Sequence, residues 1–226
     1  MIFDAFYRSS SAPQPMTFEE VVNYVWLGQA LFAMLPFSVD PEIRGKIRDG
    51  SVAYELVRPL DLYNFWFCRA VATRFAPTLL RSMPIFLVAL LFLGLQLPAS
   101  PAATGAWILA TVGALLLSCA ISNLINISLM WTIAGEGIVT LVAACLFVFS
   151  GMVVPLPLFP EWAMPLFDFL PFRGIVDLPF RLYMGHIPPE ELFPVLRHQL
   201  LWIAALVILG RWLLARGTRR LVVQGG

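Results

Sequence analysis

The chain has 226 residues, of which 59% are hydrophobic and only 13% charged; its mean hydropathy is +0.81 and its formal net charge +1. A soluble domain carries about 25% charged residues, so composition excludes an ordinary soluble enzyme and points to an all-α, polytopic membrane protein. Cys68, Cys119 and Cys145 lie in apolar stretches without CxxC spacing, so neither a disulfide nor a metal site is implied.

The N-terminal MIFDAFYRSSSAPQP has too short an apolar run for a signal peptide. A membrane span needs about 20 mainly apolar residues, and the first candidate is Phe18 to Phe37. Thr17 is placed to cap it and Pro36 to help end it. Glu19 and Glu20 sit at its start, within reach of the interface, while Asn23 and Gln29 weaken it.

Asp40 to Asp61, DPEIRGKIRDGSVAYELVRPLD, is the densest charged stretch. Its first part predicts a short helix with both ends marked. Asp40 can cap, Pro41 suits the first helical position, and Glu42 places negative charge in the first turn. Arg44, Lys46 and Arg48 favour its C-terminal part, and Gly50 supplies the stop. Ile43 and Ile47, four apart, share one face. Pro59 pushes Arg58 towards an extended conformation. On pattern alone this elbow is either an interfacial loop helix or a docking surface for a soluble partner.

Leu62 to Leu97 exceeds one span and is interrupted by Pro77 and Pro84. Arg69, Arg74 and Arg81 occupy its first half. An arginine at the bilayer centre costs about 2.5–3.5 kcal/mol on insertion scales. The expected solution lays Leu62 to Phe75 along the interface and spans from Pro77 to Leu97, with Arg81 snorkelling.

Leu97 to Thr104 is an uncharged turn, and Gly105 to Met130 the next span. Ser118, Ser122 and Asn126, each four apart, form a polar stripe on one face. The stripe reads as interhelical glue or as the lining of a translocation path. Trp131 suits an interface. A short loop with Glu136 leads to Ile138 to Val154, which is short for a span. The stretch from Pro155 onward is rich in Pro, Phe and Trp and fits interfacial or re-entrant helical pieces. Pro188 to Glu191 opens a final helix with a span at Leu200 to Ala215.

The elbow and the stretch after it hold Arg44, Lys46, Arg48, Arg58, Arg69, Arg74 and Arg81, the 97–104 turn holds no basic residue, and the C-terminal end holds Arg211, Arg216, Arg219 and Arg220. The positive-inside rule therefore predicts a cytoplasmic elbow and C-terminus, with the Pro-rich region outside. About five spans result.

Catalytic signatures are missing. GEGIVT lacks the Lys of a phosphate-binding loop, and neither HExxH nor GxSxG occurs. His186 and His198 read as loop or interface residues, and Asp168 and Asp177 as ion-pair partners of Arg173 and Arg181. Nothing supports nucleic-acid binding.

Two long motifs carry a resemblance: KIRDGSVAYELVRPLDLYNFWF (Lys46 to Phe67) and FSGMVVPLPLFPEWAMPLFDFLPFRGIVDLPFRLYMG (Phe149 to Gly185). Within the second fall Ser150-Gly151, Pro155, Pro160-Glu161-Trp162 and Leu170-Pro171, and the chain ends RRLVVQGG. In order and spacing these resemble ABC-2-type transporter permeases. The resemblance implies six spans per permease, two permeases per transporter, and two cytoplasmic ATPase subunits that hold ATP and Mg; this chain binds no cofactor itself. It implies a multi-pass protein of the bacterial cytoplasmic (inner) membrane. The whole chain, 1–226, reads as one transmembrane domain, with a coupling elbow at 40–61 and an outer re-entrant region at 155–197. Family members begin with a basic segment and a span ahead of the counterpart of Phe18. Only MIFDAFY matches the end of that span, so the expectation is a chain lacking it.

The expectation is the membrane subunit of an exporter. Glu42, Ile43, Arg44, Ile47 and Arg48 would couple it to the ATPase, and Ser118, Ser122 and Asn126 would be candidates for lining the path. Its partners would be that ATPase, a second identical or paralogous permease, and membrane lipid. The rival readings are a non-transporting scaffold or truncated subunit, and a membrane enzyme using outer carboxylates. The apolar spans lean towards an amphipathic or hydrophobic substrate.

Overall fold

The computed structural model describes residues 16–132 and 136–219, and all regular structure among them is helical. The proposed remnant of an earlier span, Met1 to Tyr7, lies outside the described residues, as does most of the RRLVVQGG ending. Helix α1 runs Phe18–Leu31. Thr17 caps it through a capping box, donating its N–H to Glu20 Oε2 at 2.7 Å and accepting from Glu20 N at 3.3 Å. A 3₁₀ turn, Phe32–Met34, follows and the chain goes extended at Leu35, the residue that Pro36 bars from helix. The expected Phe18 to Phe37 span is thus a 14-residue helix of about 21 Å, short for a hydrocarbon core of about 30 Å.

The elbow forms α2 (Pro41–Arg48) and α3 (Val52–Leu56). Asp40 caps α2 with Pro41 at the first position, and Gly50 takes a left-handed φ of 76° just beyond it.

The next helix corrects an expectation. Leu62 to Phe92 is one 31-residue helix, α4, with Pro77 and Pro84 inside it. No separate interfacial stretch ends near Phe75. The arginines that argued for one have partners or cover in the chain. Arg69 pairs with Asp40 and Glu42, and Arg74 is buried. Arg81 lies over the Phe32 ring at 5.6 Å, with its Nε on the Gln29 carbonyl at 3.3 Å.

Helix α5 (Pro101–Ser128), capped by Ser100, is the central element. Ala103, Ala106, Ala110 and Ala114 are buried along it and let neighbours approach closely. Helix α6 (Glu136–Phe149) is apolar and short. The Pro-rich region folds into α7 (Met164–Phe169), α8 (Asp177–Met184) and several 3₁₀ turns. Helix α8 packs Leu178 and Leu182 with Ala106 and Ala110 of α5, while Phe180 meets Tyr24 of α1 edge-on at 5.0 Å. Helix α9 (Leu192–Thr218) completes the fold. Gln199 stitches it in, donating from Nε2 to the carbonyls of Ala110 and Gly174, each at 2.8 Å.

Among the described residues, three helical stretches are long and apolar enough to cross a membrane: Leu62–Phe92, Pro101–Ser128 and Pro189–Thr218. Both ends of α5 are tied to other parts of the chain. Near its start, Ala99 N–H bonds to the Tyr183 carbonyl at 3.1 Å; near its end, Asn126 meets the elbow.

Candidate functional site

The elbow is built around Asp40. Its carboxylate accepts from the backbone N–H groups of Glu42 (2.9 Å) and Ile43 (3.3 Å), which closes the first turn of α2. The same carboxylate takes two hydrogen bonds from Arg69 of α4, Nε to Oδ2 at 2.6 Å and Nη2 to Oδ1 at 3.3 Å. Its backbone N–H donates to Asn126 Oδ1 of α5 at 3.0 Å. One residue thus joins α2, α4 and α5. Burial pushes the Asp40 carboxyl up, but Arg69 and the two backbone N–H groups outweigh it, so its pKa lies below the usual aspartate value.

A second polar knot fixes α2 to α3. Lys46 Nζ donates to Glu42 and to Glu55, both at 2.6 Å. The other Glu55 oxygen accepts from the Trp66 indole at 3.0 Å. Glu55 and Trp66 are buried, so α3 is tied to α4 through an enclosed carboxylate. Hydrogen bonds donated to Glu42 and Glu55 raise the Lys46 pKa, and Lys46 lowers that of Glu42. Arg69 reaches Glu42 as well, at 2.6 Å.

Ile43 is enclosed in a cluster with Val52, Leu62, Tyr63, Trp66, Ile127 and Leu214, and Ile47 packs against it. Ile43 anchors the elbow to its own chain, and Ile47 is partly buried against the same cluster. Arg48 and Glu42 are exposed, and Arg44 is half-buried. The outward surface also holds residues that sequence reasoning missed: Tyr54 (74% exposed), Val57 (81%) and Leu60 (59%) beside exposed Arg58. The available signal was the alternation along 52–57, where Val52 and Glu55 turn inward and Tyr54 and Val57 outward. Across the elbow from α2, Arg211 of α9 holds Asp61 (3.0 Å) and Asn64 (2.8 Å) at the start of α4.

The polar stripe of α5 is enclosed. Ser118 donates to the Met34 carbonyl, Ser122 to the Ser118 carbonyl at 2.9 Å, and Asn126 accepts from Asp40. All three are buried within this chain and bonded inside it. Their partners are those expected of interhelical glue. Asn126 links the stripe to the elbow, joining two groups that the sequence presented separately.

At the far end, Asp168 pairs with Arg173, and Arg173 Nε meets Asp177 at 3.0 Å. Arg181 lies 3.9 Å from Asp177. Asp168 and Asp177 are held as ion-pair partners, as the sequence suggested. His186 is not an isolated loop histidine: its Nε2 lies 2.6 Å from Glu20 of α1. Nearby, Gln96 links Asn23 and Glu19, and the Tyr183 hydroxyl donates to the Gln96 carbonyl at 2.7 Å. Among the described residues, no group of three His, Cys, Asp or Glu side chains is disposed to hold a metal.

A family model described as ABC-2 family transporter protein matches residues 1–225. No curated protein and no solved structure matches the chain.

Proposed function

The chain belongs to the ABC-2 family of transporter proteins, and from that premise we propose that it is the membrane-spanning permease subunit of an ATP-driven exporter, coupled through residues 40–61 to a separate cytoplasmic ATPase. The observation that carries the coupling role is the junction at Asp40. A partner pressing on α2 would act on α4 and α5 through Arg69 and Asn126 together. Coupling requires an element that a partner can bias between two states, and a capped helix fixed to two long membrane helices suits that task. The exposed surface presents Arg48, Arg58, Tyr54, Val57 and Leu60 beside Glu42, Asp49 and Asp61, and this mixed-charge, partly apolar face suits a cleft of matching character on a soluble partner.

ATP and Mg would be held by the ATPase, and the transporter would contain a second, identical or paralogous, permease. The Lys and Arg residues of the elbow and of the C-terminal end support a cytoplasmic orientation for both, in a bacterial inner membrane. An apolar groove of about 220 Å³ between α1, α4 and α5, lined by Phe75, Phe86 and Trp107 among others, supports an amphipathic or hydrophobic substrate.

The test is a mild-detergent pull-down of the full-length protein from its native host. A stoichiometric soluble ATPase, lost when Arg44→Glu and Arg48→Glu are combined in a well-inserted protein, is expected. A preparation free of ATPase, in detergent that preserves such complexes, would favour a non-transporting scaffold instead.

A further inference from the structure

Beside the Asp40 junction lies a pocket of about 190 Å³ between the 33–41 segment, α4 and α5. A water molecule takes about 30 Å³ of liquid, so the space is several waters large. Its rim includes exposed Ser38, Pro41 and Thr73, and its buried lining includes Leu35, Ala70, Asn126 and Arg74.

Arg74 is the anomaly. It is only 9% exposed. Its Nη1 makes one long hydrogen bond, 3.5 Å, to the Ala70 carbonyl one turn back, and its buried Nε has no partner. A guanidinium does not shed its proton in proteins. A buried charge is costly unless paired. The nearest carboxylate in the pocket wall, Asp40, is already held by two bonds from Arg69 and two from the backbone of α2. Glu42, further out, is engaged by Arg69 and Lys46. The charged pocket-lining groups are Asp40, Arg69 and Arg74, and of the two cations only Arg74 has no carboxylate bonded to it. Asn126 spends its oxygen on the Asp40 N–H, leaving its amide hydrogens as donors.

We propose that this pocket binds a phosphate-type anionic group, with Arg74 as its counter-charge. A guanidinium fork and an amide donor suit an oxyanion with several acceptor oxygens. The group could belong to an anionic lipid headgroup or to a free phosphate; the chemistry recognised is the same.

The experiment uses the purified full-length protein in mild detergent. Phosphatidylglycerol, phosphatidylcholine and inorganic phosphate are added separately. Retained lipid is read by native mass spectrometry and stability by the thermal midpoint. Wild type is expected to retain phosphatidylglycerol over phosphatidylcholine, or to gain midpoint with inorganic phosphate. The first result assigns a lipid source and the second a free anion. Arg74→Gln should lose that binding by roughly tenfold or more. It should still fold, because a buried cation without a bonded carboxylate is itself costly and its removal relieves that cost. Arg74→Lys, which keeps charge but not the planar fork, should retain an intermediate share. If no probe prefers wild type, or if Arg74→Gln responds as wild type does, the proposal is overturned.

Discussion

The indole of Trp66 donates to the buried carboxylate of Glu55 at 3.0 Å, while Lys46 holds the other oxygen at 2.6 Å. Glu55→Ala would strip both partners at once and leave the Trp66 N–H unpaired inside the protein. The expected cost is about 1–3 kcal/mol, read as a lower thermal midpoint in detergent. Glu55→Gln keeps an acceptor for the indole and should cost less. Equal midpoints for wild type and Glu55→Ala would mean that α3 is not fixed through this carboxylate.

The exposed residues of the elbow should behave differently. Val57→Asp combined with Leu60→Asp touches no buried cluster, so the thermal midpoint should stay within about 0.5 kcal/mol equivalent of wild type. Association with the ATPase should fall sharply, measured by co-purification from membranes. Retained association in the double variant would move the contact surface elsewhere.

Acid should loosen the elbow in a defined direction. The folded-state pKa of Asp40 is depressed, so its stabilising contribution is present above the unfolded value, about 4. That contribution is lost as pH falls through the lower folded value. Limited proteolysis between α2 and α4 should therefore be flat from neutrality down to about pH 4 and rise below it. Asp40→Asn should cleave faster than wild type at neutral pH and show less of this dependence.

Gly151 closes α6 with a φ of 86°, and a side chain there would run into the Tyr24 hydroxyl. Gly151→Ala should therefore destabilise by at least the roughly 1–2 kcal/mol of a left-handed residue. A thermal midpoint unchanged from wild type would refute the close approach of α1.

Local features were legible in the sequence because the sequence itself completes them. The caps at Thr17 and Asp40, the stop at Gly50, and the shared face of Ile43 and Ile47 each need only neighbours three or four residues away. The i, i+4 stripe from Ser118 to Asn126 was visible for the same reason, although Asp40 and Met34 as its partners were not. Continuity of α4 was hidden because its arginines read as a membrane penalty. What answers them is remote in sequence: Asp40 for Arg69, and the Gln29 carbonyl and Phe32 ring for Arg81. His186 and Glu20 are 166 residues apart, and no spacing rule joins them.

The Asp40 junction also constrains how natural variants of this chain can differ. Arg69 answers to the Asp40 carboxylate and to Glu42, whereas Asn126 answers to the backbone N–H of position 40, which every residue but proline keeps. Effects at the three positions should be non-additive, since residues in one hydrogen-bonded network couple by about 0.5–3 kcal/mol. A lineage that changes position 40 to anything but proline still has reason to keep Asn126, and it loosens position 69 only as far as Glu42 fails to hold Arg69 alone.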